Sequence, residues 1–296
     1  MRGGIDVVHA NDGLMAVPGY FLAKLFRKRF TVNLHGLDIT YTNPLFKAAV
    51  PWAVRRADHV FCISRAAAEE AVKRGASRSK VEPIPLAVKD ELYVTAKREQ
   101  LIEQLWVPPD TRILLTVGRL VERKGAAWFI DEVMPGLVKQ HPKLLYVIVG
   151  EGEARPAIEA AVKRRGLDGH VRLTGRLDGQ AYAAAYNGAD VFIMPNVVVP
   201  GDMEGFGLVL LEASLCARPV VAAGIEGILD AVADGKNGVL VPTRDAGAFA
   251  VAIDRFLSDK AYAKRFGDSS RRFTLENYQW PAIADRYVAA YKQLLG

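Results

Sequence analysis

The sequence predicts an α/β protein with two doubly wound parallel sheets that face each other across a cleft. The prediction depends on short apolar runs that alternate with stretches of helical period along most of the chain. Six runs follow Thr111, and each is apolar on both faces, as expected for parallel strands that helices cover on both sides. The six runs are RILLTV (112–117), LLYVIV (144–149), HVRLT (170–174), DVFIM (190–194), PVVAA (219–223) and GVLV (238–241).

The first third of the chain shows the same alternation in a shorter form. The predicted strands there are IDVVHA, FTVNLH, HVFCIS and KVEPIP, and the predicted helices between them cover 18–28, 44–56 and 65–74. Two prolines before Asp110 mark a linker. We therefore predict one Rossmann-like domain over 1–108, a second over 109–280, and a last helix over 281–296 that packs back toward the first domain. Such sheets bind ligands beyond the carboxyl ends of their strands, so the cleft is the expected site.

The composition is that of a globular protein. Of the 296 residues, 50% are apolar and 24% are charged, which excludes a disordered chain and a coiled-coil rod. No apolar run is long enough to span a membrane, and the first residues lack the pattern of a secretion signal. Cys62 and Cys216 lie in segments predicted to be buried, so no disulfide framework is expected. The expected location is the cytoplasm.

The net charge of +6 is concentrated in the first third of the chain. Residues 1–108 hold 16 basic and 11 acidic side chains, which gives +5. Within them, the segment YFLAKLFRKRF places Phe21, Leu25 and Phe26 among four basic residues. This pattern suits a helix that lies peripherally on an anionic membrane, and it equally suits an ordinary surface helix with a solvated basic edge. No nucleic-acid partner is expected, because no zinc-ligand spacing or RNA-binding motif accompanies the charge.

The most informative motif is EGFGLVLLEAS, residues 204–214. Glu204, Phe206 and Gly207 belong to a turn that leads into a helix, and such turns expose backbone N–H groups that can hold a phosphate or a sugar hydroxyl. Glu212 lies on the apolar stripe of that helix, where a carboxylate is costly unless something hydrogen-bonds it. The hydroxyls of a ribose would do so. A neighbouring backbone group or an arginine is the structural alternative.

The segment TVGRLVERKG, residues 116–125, covers the end of the first strand of the second domain and the loop after it. Arg119 and Lys124 flank this loop at the carboxyl edge of the sheet. Two cations there can neutralise a diphosphate, the arginine through its planar fork and the lysine as a point charge. Solvated loop residues are the alternative, and we expect Glu122 and Arg123 to be of that kind.

A third motif, LHGLD, ends the second strand of the first domain. His35 is predicted to face the cleft, where its imidazole can hydrogen-bond a sugar hydroxyl, although a packed structural histidine explains the position as well. Asp38 can orient His35 or cap the following turn. Ser64 is predicted to cap the helix that follows it.

Several motifs are missing, and their absence narrows the function. There is no Asp-x-Asp pair to clamp a metal ion, so no metal site is predicted. Neither a P-loop nor a Gly-x-Gly-x-x-Gly fingerprint is present, which disfavours ATPases and common NAD enzymes, and no cofactor is expected.

Taken in order, the segments VGRLVERKG, LYVIVGEGEARPAIE, VRLTGRL, GADVFIMP, EGFGLVLLEAS, PVVA and GVLVP resemble those of the family 4 glycosyltransferases, which have the two-domain GT-B fold. The resemblance implies that Arg119 and Lys124 bind the donor diphosphate and that Glu212 takes the ribose hydroxyls. It places the donor sugar against His35, Glu204 and the backbone of Phe206, Gly207 and Leu208. It places the base beside Arg176 and Leu177. Members of the family retain the anomeric configuration and generally need no metal.

The first domain departs from the family pattern, because the chain opens at what resembles a later strand of a typical member. The N-terminal domain is therefore expected to be truncated, and the acceptor site normally lies there. Arg218 also stands where glycine is common in the family.

The leading hypothesis is a retaining, metal-independent glycosyltransferase that uses a nucleoside diphosphate sugar and a glycan or lipid-linked acceptor. One alternative is a nucleotide-sugar binding module that needs a partner chain or self-association to complete the shortened domain. Another is a nucleotide-sugar epimerase or sugar phosphorylase on the same fold.

Overall fold

The computed structural model describes residues 4–40, 43–89 and 97–296. Within these ranges all ten predicted strands are present, and they form two parallel sheets. In the first sheet, of order β1-β2-β3-β4, the strands are β1 (Val7–Ala10), β2 (Arg29–Leu34), β3 (His59–Cys62) and β4 (Val81–Pro83). In the second sheet they are β5 (Arg112–Val117), β6 (Leu144–Val149), β7 (Val171–Gly175), β8 (Val191–Met194), β9 (Val220–Ala223) and β10 (Val239–Val241).

The second sheet has the strand order β10-β9-β8-β5-β6-β7. The order reverses between β5 and β8, which pair in parallel through Leu114 and Leu115. In doubly wound sheets the connections diverge at such a point and leave a crevice beyond the carboxyl ends of the strands. The loops after β5 and β8 border that crevice, and they carry Arg119, Lys124 and the EGFG turn.

Helices cover both sheets. Those of the first domain are α1 (Ala16–Leu25), α2 (Leu37–Thr40), α3 (Pro44–Val54) and α4 (Arg65–Lys73), and α5 (Arg98–Leu105) follows the undescribed segment 90–96. Those after β5 are α6 (Ala126–Glu132), α7 (Met134–Gln140), α8 (Arg155–Arg165), α9 (Gly179–Gly188), α10 (Leu208–Leu215), α11 (Ile228–Ala231), α12 (Ala246–Ser258), α13 (Lys260–Tyr278) and α14 (Trp280–Leu295).

The predicted helices of the first domain are present with shifted ends. The helix predicted over 18–28 covers Ala16–Leu25, because Arg27 has a left-handed backbone with φ +52°. Ser64 caps α4 as predicted, and its side chain accepts a hydrogen bond from the Ala67 N–H at 3.1 Å. Cys62 and Cys216 are buried, and neither forms a disulfide.

Two helices connect the domains. Arg98 on α5 pairs with Asp190 of the second domain at 3.1 Å, so α5 packs against the second sheet. Ile283 and Ala290 on α14 form an apolar cluster with Phe61 of the first domain. The boundary near residue 108 and the division at 281 stay predictions. No helix in the described part of the chain is long and apolar enough to cross a membrane.

Direct contacts also join the domains. The Arg65 Nε donates to Asp230 at 2.8 Å, and the Arg65 backbone N–H donates to the same carboxylate at 3.0 Å. The Val88 N–H donates to the Tyr278 carbonyl at 2.9 Å. The relative position of the two sheets is therefore held by hydrogen bonds as well as by apolar packing.

The crevice loops pack so closely that Gly125 has no room for a side chain. Its φ is +67°, and a Cβ placed on it would lie 1.9 Å from the Pro195 carbonyl oxygen. We expect Gly125→Ala to lower the free energy of unfolding by about 2 kcal/mol or more, because a strained left-handed alanine alone costs roughly 1–3 kcal/mol. Chemical denaturation measures the change.

The matched control is Gly136→Ala on α7, where a Cβ would meet no atom within 4 Å. An alanine there should be neutral or stabilising by up to about 1 kcal/mol, since it restricts the unfolded chain. Equal stability of the two variants would contradict the close packing of the crevice loops.

Candidate active site

The EGFG turn lies where the two domains meet. A Cβ placed on Gly205 would lie 2.2 Å from the carbonyl oxygen of His35, and one placed on Gly36 would lie 3.1 Å from the Gly205 Cα. On the other side, a Cβ on Gly227 would lie 2.1 Å from the Gly205 carbonyl oxygen. The backbone of this turn is therefore enclosed between the loop after β2 and the loop after β9. The structure thus brings the His35 and Glu204 motifs together.

Glu204 is the centre of a buried charge cluster. Its Oε2 accepts hydrogen bonds from Arg123, from Lys124 Nζ at 2.6 Å and from Asn196 Nδ2 at 2.9 Å. Its Oε1 makes no hydrogen bond with a described residue. Burial alone would raise the pKa of Glu204, but the adjacent positive charges of Lys124 and Arg123 lower it. Glu204 is therefore anionic at neutral pH.

Two further carboxylates complete the cluster. Arg123 Nε donates to Asp202 at 2.8 Å, and the backbone N–H of Glu204 donates to Glu226 at 2.6 Å. Burial raises the pKa of Glu226, and the negative charge of Glu204 adds to the effect. The side chain and the backbone N–H of Glu204 are thus both hydrogen-bonded to neighbouring loops.

The expectation that Arg123 is solvated was wrong. Arg123 is only 6% exposed, because the short 3₁₀ turn at 122–124 directs it beneath the EGFG turn. Arg119, by contrast, is exposed and lines a cavity. Sequence reasoning missed Arg123, Asn196, Asp202 and Glu226. The partners of Arg123, Asp202 and Glu226 lie about 20 to 80 residues away in sequence, whereas Asn196 is 8 residues from Glu204 on the same loop.

A cavity of about 420 Å³ opens beyond the carboxyl ends of β5, β6 and β7. It is of the size that small ligands and cofactors occupy. Three residues predicted to contact the donor, Arg119, Arg176 and Leu177, line it together, as do Glu151 and Tyr182. Its floor is backbone, because a Cβ placed on Gly150 would lie 1.9 Å from the Gly118 carbonyl oxygen.

Lys124 lies beside this cavity, but its ammonium group already forms an ion pair. Its ammonium bonds to Glu204, and burial lowers its pKa, with Arg123 and Arg119 adding repulsion that Glu204 only partly offsets. An anionic ligand near Arg119 would relieve that repulsion. The charged residues that line the cavity itself are Arg119, Arg176 and Glu151, which leaves its lining with one net positive charge.

Glu212 lies on a largely apolar face of α10, as predicted. Its Oε2 accepts hydrogen bonds from the hydroxyls of Tyr182 at 2.9 Å and Tyr186 at 2.7 Å. Burial raises the pKa of both tyrosines, and the charge of Glu212 raises it further. Glu212 is not among the residues that line the cavity, whereas Tyr182 is.

The loop after β2 is fixed by Asp38. Its carboxylate accepts hydrogen bonds from the backbone N–H groups of His35 at 2.9 Å and Gly13 at 2.8 Å. It therefore caps the turn and does not orient the imidazole. The His35 Nε2 instead bonds the Asn11 carbonyl oxygen at 2.8 Å, which makes Nε2 the protonated nitrogen and leaves Nδ1 as an acceptor.

The start of α10 offers free donors. Gly207 has a left-handed backbone with φ +89°, and α10 begins at the next residue, Leu208. Within the described chain, no group accepts a hydrogen bond from the N–H of Phe206, Gly207 or Leu208. These donors and the positive end of the helix can hold an anion or a hydroxyl oxygen.

The fold is shared with solved glycosyltransferase structures. Anabaena Alr3699/HepE in complex with UDP and glucose superposes with a TM-score of 0.83 at 20% identity, over 97% of this chain and 77% of that chain. Sucrose-phosphate synthase from Thermosynechococcus elongatus gives 0.80 at 27% identity, over 99% and 75%. Two doubly wound domains joined at this site define a glycosyltransferase of the GT-B type.

Sequence comparisons identify the family to which the chain belongs. Residues 111–259 match the family "Glycosyl transferases group 1", and residues 1–92 match "Glycosyltransferase Family 4". The α-D-kanosaminyltransferase of Streptomyces kanamyceticus is 27% identical over 97% of this chain and 77% of its own length. A GDP-mannose-dependent phosphatidylinositol monomannoside mannosyltransferase of Mycolicibacterium smegmatis is 28% identical over 90% and 70%. The chain belongs to the family 4 glycosyltransferases.

The buried cluster predicts that two arginines of one loop differ sharply in their effect on stability. Arg123→Ala leaves Glu204 and Asp202 without their shared partner, and removing one member of a buried ion pair costs about 3–5 kcal/mol. Arg119→Ala removes an exposed side chain, and we expect a change within about 0.5 kcal/mol. Urea denaturation of both variants provides the measurement, and similar losses in the two would contradict the described cluster.

Proposed function

We propose that the chain transfers a sugar from a nucleoside diphosphate sugar to a hydroxyl of a glycan or lipid-linked acceptor, with retention of anomeric configuration and without a metal ion. One observation carries the proposal: the cavity lined by Arg119, Arg176 and Leu177 lies beside the Glu204 cluster at the junction of the domains. A nucleotide in the cavity would have its phosphates near the cations and its sugar near the EGFG turn.

The contacts support a specific role for each residue that is proposed to bind the donor. Arg176 and Leu177 flank the base, and Arg119 and Lys124 bind the diphosphate. The sugar hydroxyls reach Glu204 Oε1, the Nδ1 face of His35 and the free N–H groups of Phe206, Gly207 and Leu208. Glu212 acts at the ribose together with Tyr182, which lies between it and the cavity.

The charge cluster favours stabilisation of the leaving group over covalent catalysis. Negative charge grows on the diphosphate as it departs, and preorganised cations at that place lower the barrier. Glu204 is a poor nucleophile, because its Oε2 accepts three hydrogen bonds and its pKa is lowered by Lys124 and Arg123 despite its burial. We therefore assign no enzymic nucleophile. The acceptor hydroxyl attacks the anomeric carbon on the face from which the diphosphate leaves, the bond from that carbon to the diphosphate oxygen breaks, and the departing diphosphate accepts the hydroxyl proton.

An apolar and basic surface on the first domain supports a lipid-linked acceptor. On and just after α1, Phe21 is 58% exposed, Leu25 75% and Phe26 59%. Lys24 and the basic run 27–29 lie at the same end of the helix. A surface of this kind suits peripheral binding to an anionic membrane, where the acceptor would be presented.

The transfer reaction is tested by release of nucleoside diphosphate from UDP-, GDP-, ADP- and dTDP-sugars, with and without glycan and lipid acceptors. We expect acceptor-dependent release with one base and full activity in EDTA, since side-chain cations supply the electrostatic role of a metal. Arg119→Ala should reduce turnover about 100-fold or more, by analogy with the loss of one transition-state donor.

Arg172→Ala is the matched control, because this exposed arginine on β7 lies outside the cavity. Its turnover should equal that of the wild type. Turnover that EDTA abolishes and magnesium or manganese restores would refute the metal-independent reaction. Binding of a nucleotide sugar without release of nucleoside diphosphate would favour a binding module that requires a partner chain.

Membrane docking is tested by co-sedimentation with vesicles that contain phosphatidylserine. Each Lys or Arg that reaches the surface should contribute about 1 kcal/mol, so neutralising Lys24, Arg27, Lys28 and Arg29 together should abolish most binding. Binding should also fall as salt rises. A chain that fails to sediment at low salt would contradict docking and leave the donor assignment intact.

A further inference from the structure

A second cavity, of about 480 Å³, lies at the edge of the second sheet opposite the candidate active site. It opens beside the amino ends of β5, β8 and β9, where Arg112, Asp190 and Pro219 form part of its wall. The lining includes five basic residues and three acidic ones. The basic residues are Arg98, Arg112, Arg218, Lys260 and Lys264.

Two of these cations are already neutralised in part. Arg98 and Arg112 share Asp190, with N–O distances of 3.1 and 2.8 Å. Their remaining described hydrogen bonds go to backbone carbonyl groups of the second domain. This trio is a structural feature, and it still contributes one net positive charge to the wall.

Arg218 differs, because it is partly buried and forms no ion pair with a described carboxylate. Its Nε donates to the Cys216 carbonyl at 2.8 Å and its Nη1 to the Ala189 carbonyl at 3.0 Å, while Nη2 makes no hydrogen bond with a described residue. Burial lowers the pKa of Arg218. Asp190 and Asp268 attract Arg218 without forming an ion pair with it, because each is paired with other cations. The five basic and three acidic residues of the lining thus leave a net charge of +2 in the cavity.

Two lysines face the same cavity from the first turns of α13. Lys260 and Lys264 are one helical turn apart and therefore lie on one face. Lys264 pairs with Asp268 at 2.6 Å and stays 77% exposed, whereas Lys260 is exposed and forms no ion pair within the described chain. The amino end of the 19-residue helix adds a partial positive charge.

We propose that this cavity binds the phosphate group of a small anion, with Arg218, Lys260 and Lys264 as its ligands. An arginine fork and two ammonium groups are the side chains that recognise phosphate oxygens in proteins. The volume accommodates a molecule of hexose phosphate size. This site lies outside the donor cavity, so its occupation does not depend on the proposed transfer reaction.

The experiment is isothermal titration of the whole chain with inorganic phosphate at constant ionic strength. It is performed in the wild type and in Arg119→Ala, because phosphate can also enter the donor cavity. We expect saturable binding that persists in Arg119→Ala and weakens at least tenfold in Arg218→Gln. Arg218 also donates hydrogen bonds to carbonyl groups at the ends of α9 and α10, so Arg218→Gln removes structural bonds as well. A second variant therefore tests the site without changing those bonds.

That second variant is the double substitution Lys260→Gln and Lys264→Gln, which changes only exposed side chains. It should also weaken phosphate binding at least tenfold, while Lys139→Gln with Lys163→Gln, an equal change of charge elsewhere on the domain, should leave binding unchanged. A hexose monophosphate that binds more tightly than phosphate would assign an ester as the ligand. Absence of binding in Arg119→Ala, or unchanged binding in the Lys260 and Lys264 double variant, would overturn the proposal.

Discussion

The arrangement of the active site depends on one buried carboxylate, Glu204, which Arg123, Lys124 and Asn196 share. The carboxylate connects the loop after β5 to the loop after β8, the two loops that border the crevice. An ionised group in this position is costly by itself, and the cluster offsets the cost with three donors on one oxygen. The carboxylate thereby fixes Arg123 and Lys124, and with them the loop after β5, in one position.

This cluster is positioned by backbone packing rather than by side chains. Gly205 lies against the His35 carbonyl on one side and Gly227 on the other, at distances that exclude any Cβ. Because these backbones are in close contact, they have little freedom to shift. The conformation of the EGFG turn therefore sets the direction of the Glu204 carboxylate. The same contact joins the first domain to the second, so the geometry of the candidate active site and the relative position of the domains are linked.

The sequence predicted the strands well, because parallel strands buried on both faces are continuous apolar runs that local pattern alone reveals. The family resemblance associated Arg119 with the diphosphate and Arg176 and Leu177 with the base, and the three residues line one cavity, since the carboxyl ends of neighbouring strands meet at one edge. The partners of Glu212 were not predictable, because Tyr182 and Tyr186 lie on another helix, about 30 residues away. For the same reason no local pattern separates the buried Arg123 from the exposed Arg119.

The first domain contributes to the site through a single well-anchored loop. Burial raises the pKa of Asp38, although hydrogen bonds from Gly13 and His35 oppose the effect, so this carboxyl is a buried structural cap. It ties the loop after β1 to the loop after β2, and the His35 imidazole repeats the connection through the Asn11 carbonyl. Two hydrogen bonds therefore join the loops, one at the Asp38 carboxylate and one at the His35 imidazole. Because the His35 carbonyl also lies against Gly205, a displacement of the loop after β2 would strain both the loop after β1 and the EGFG turn.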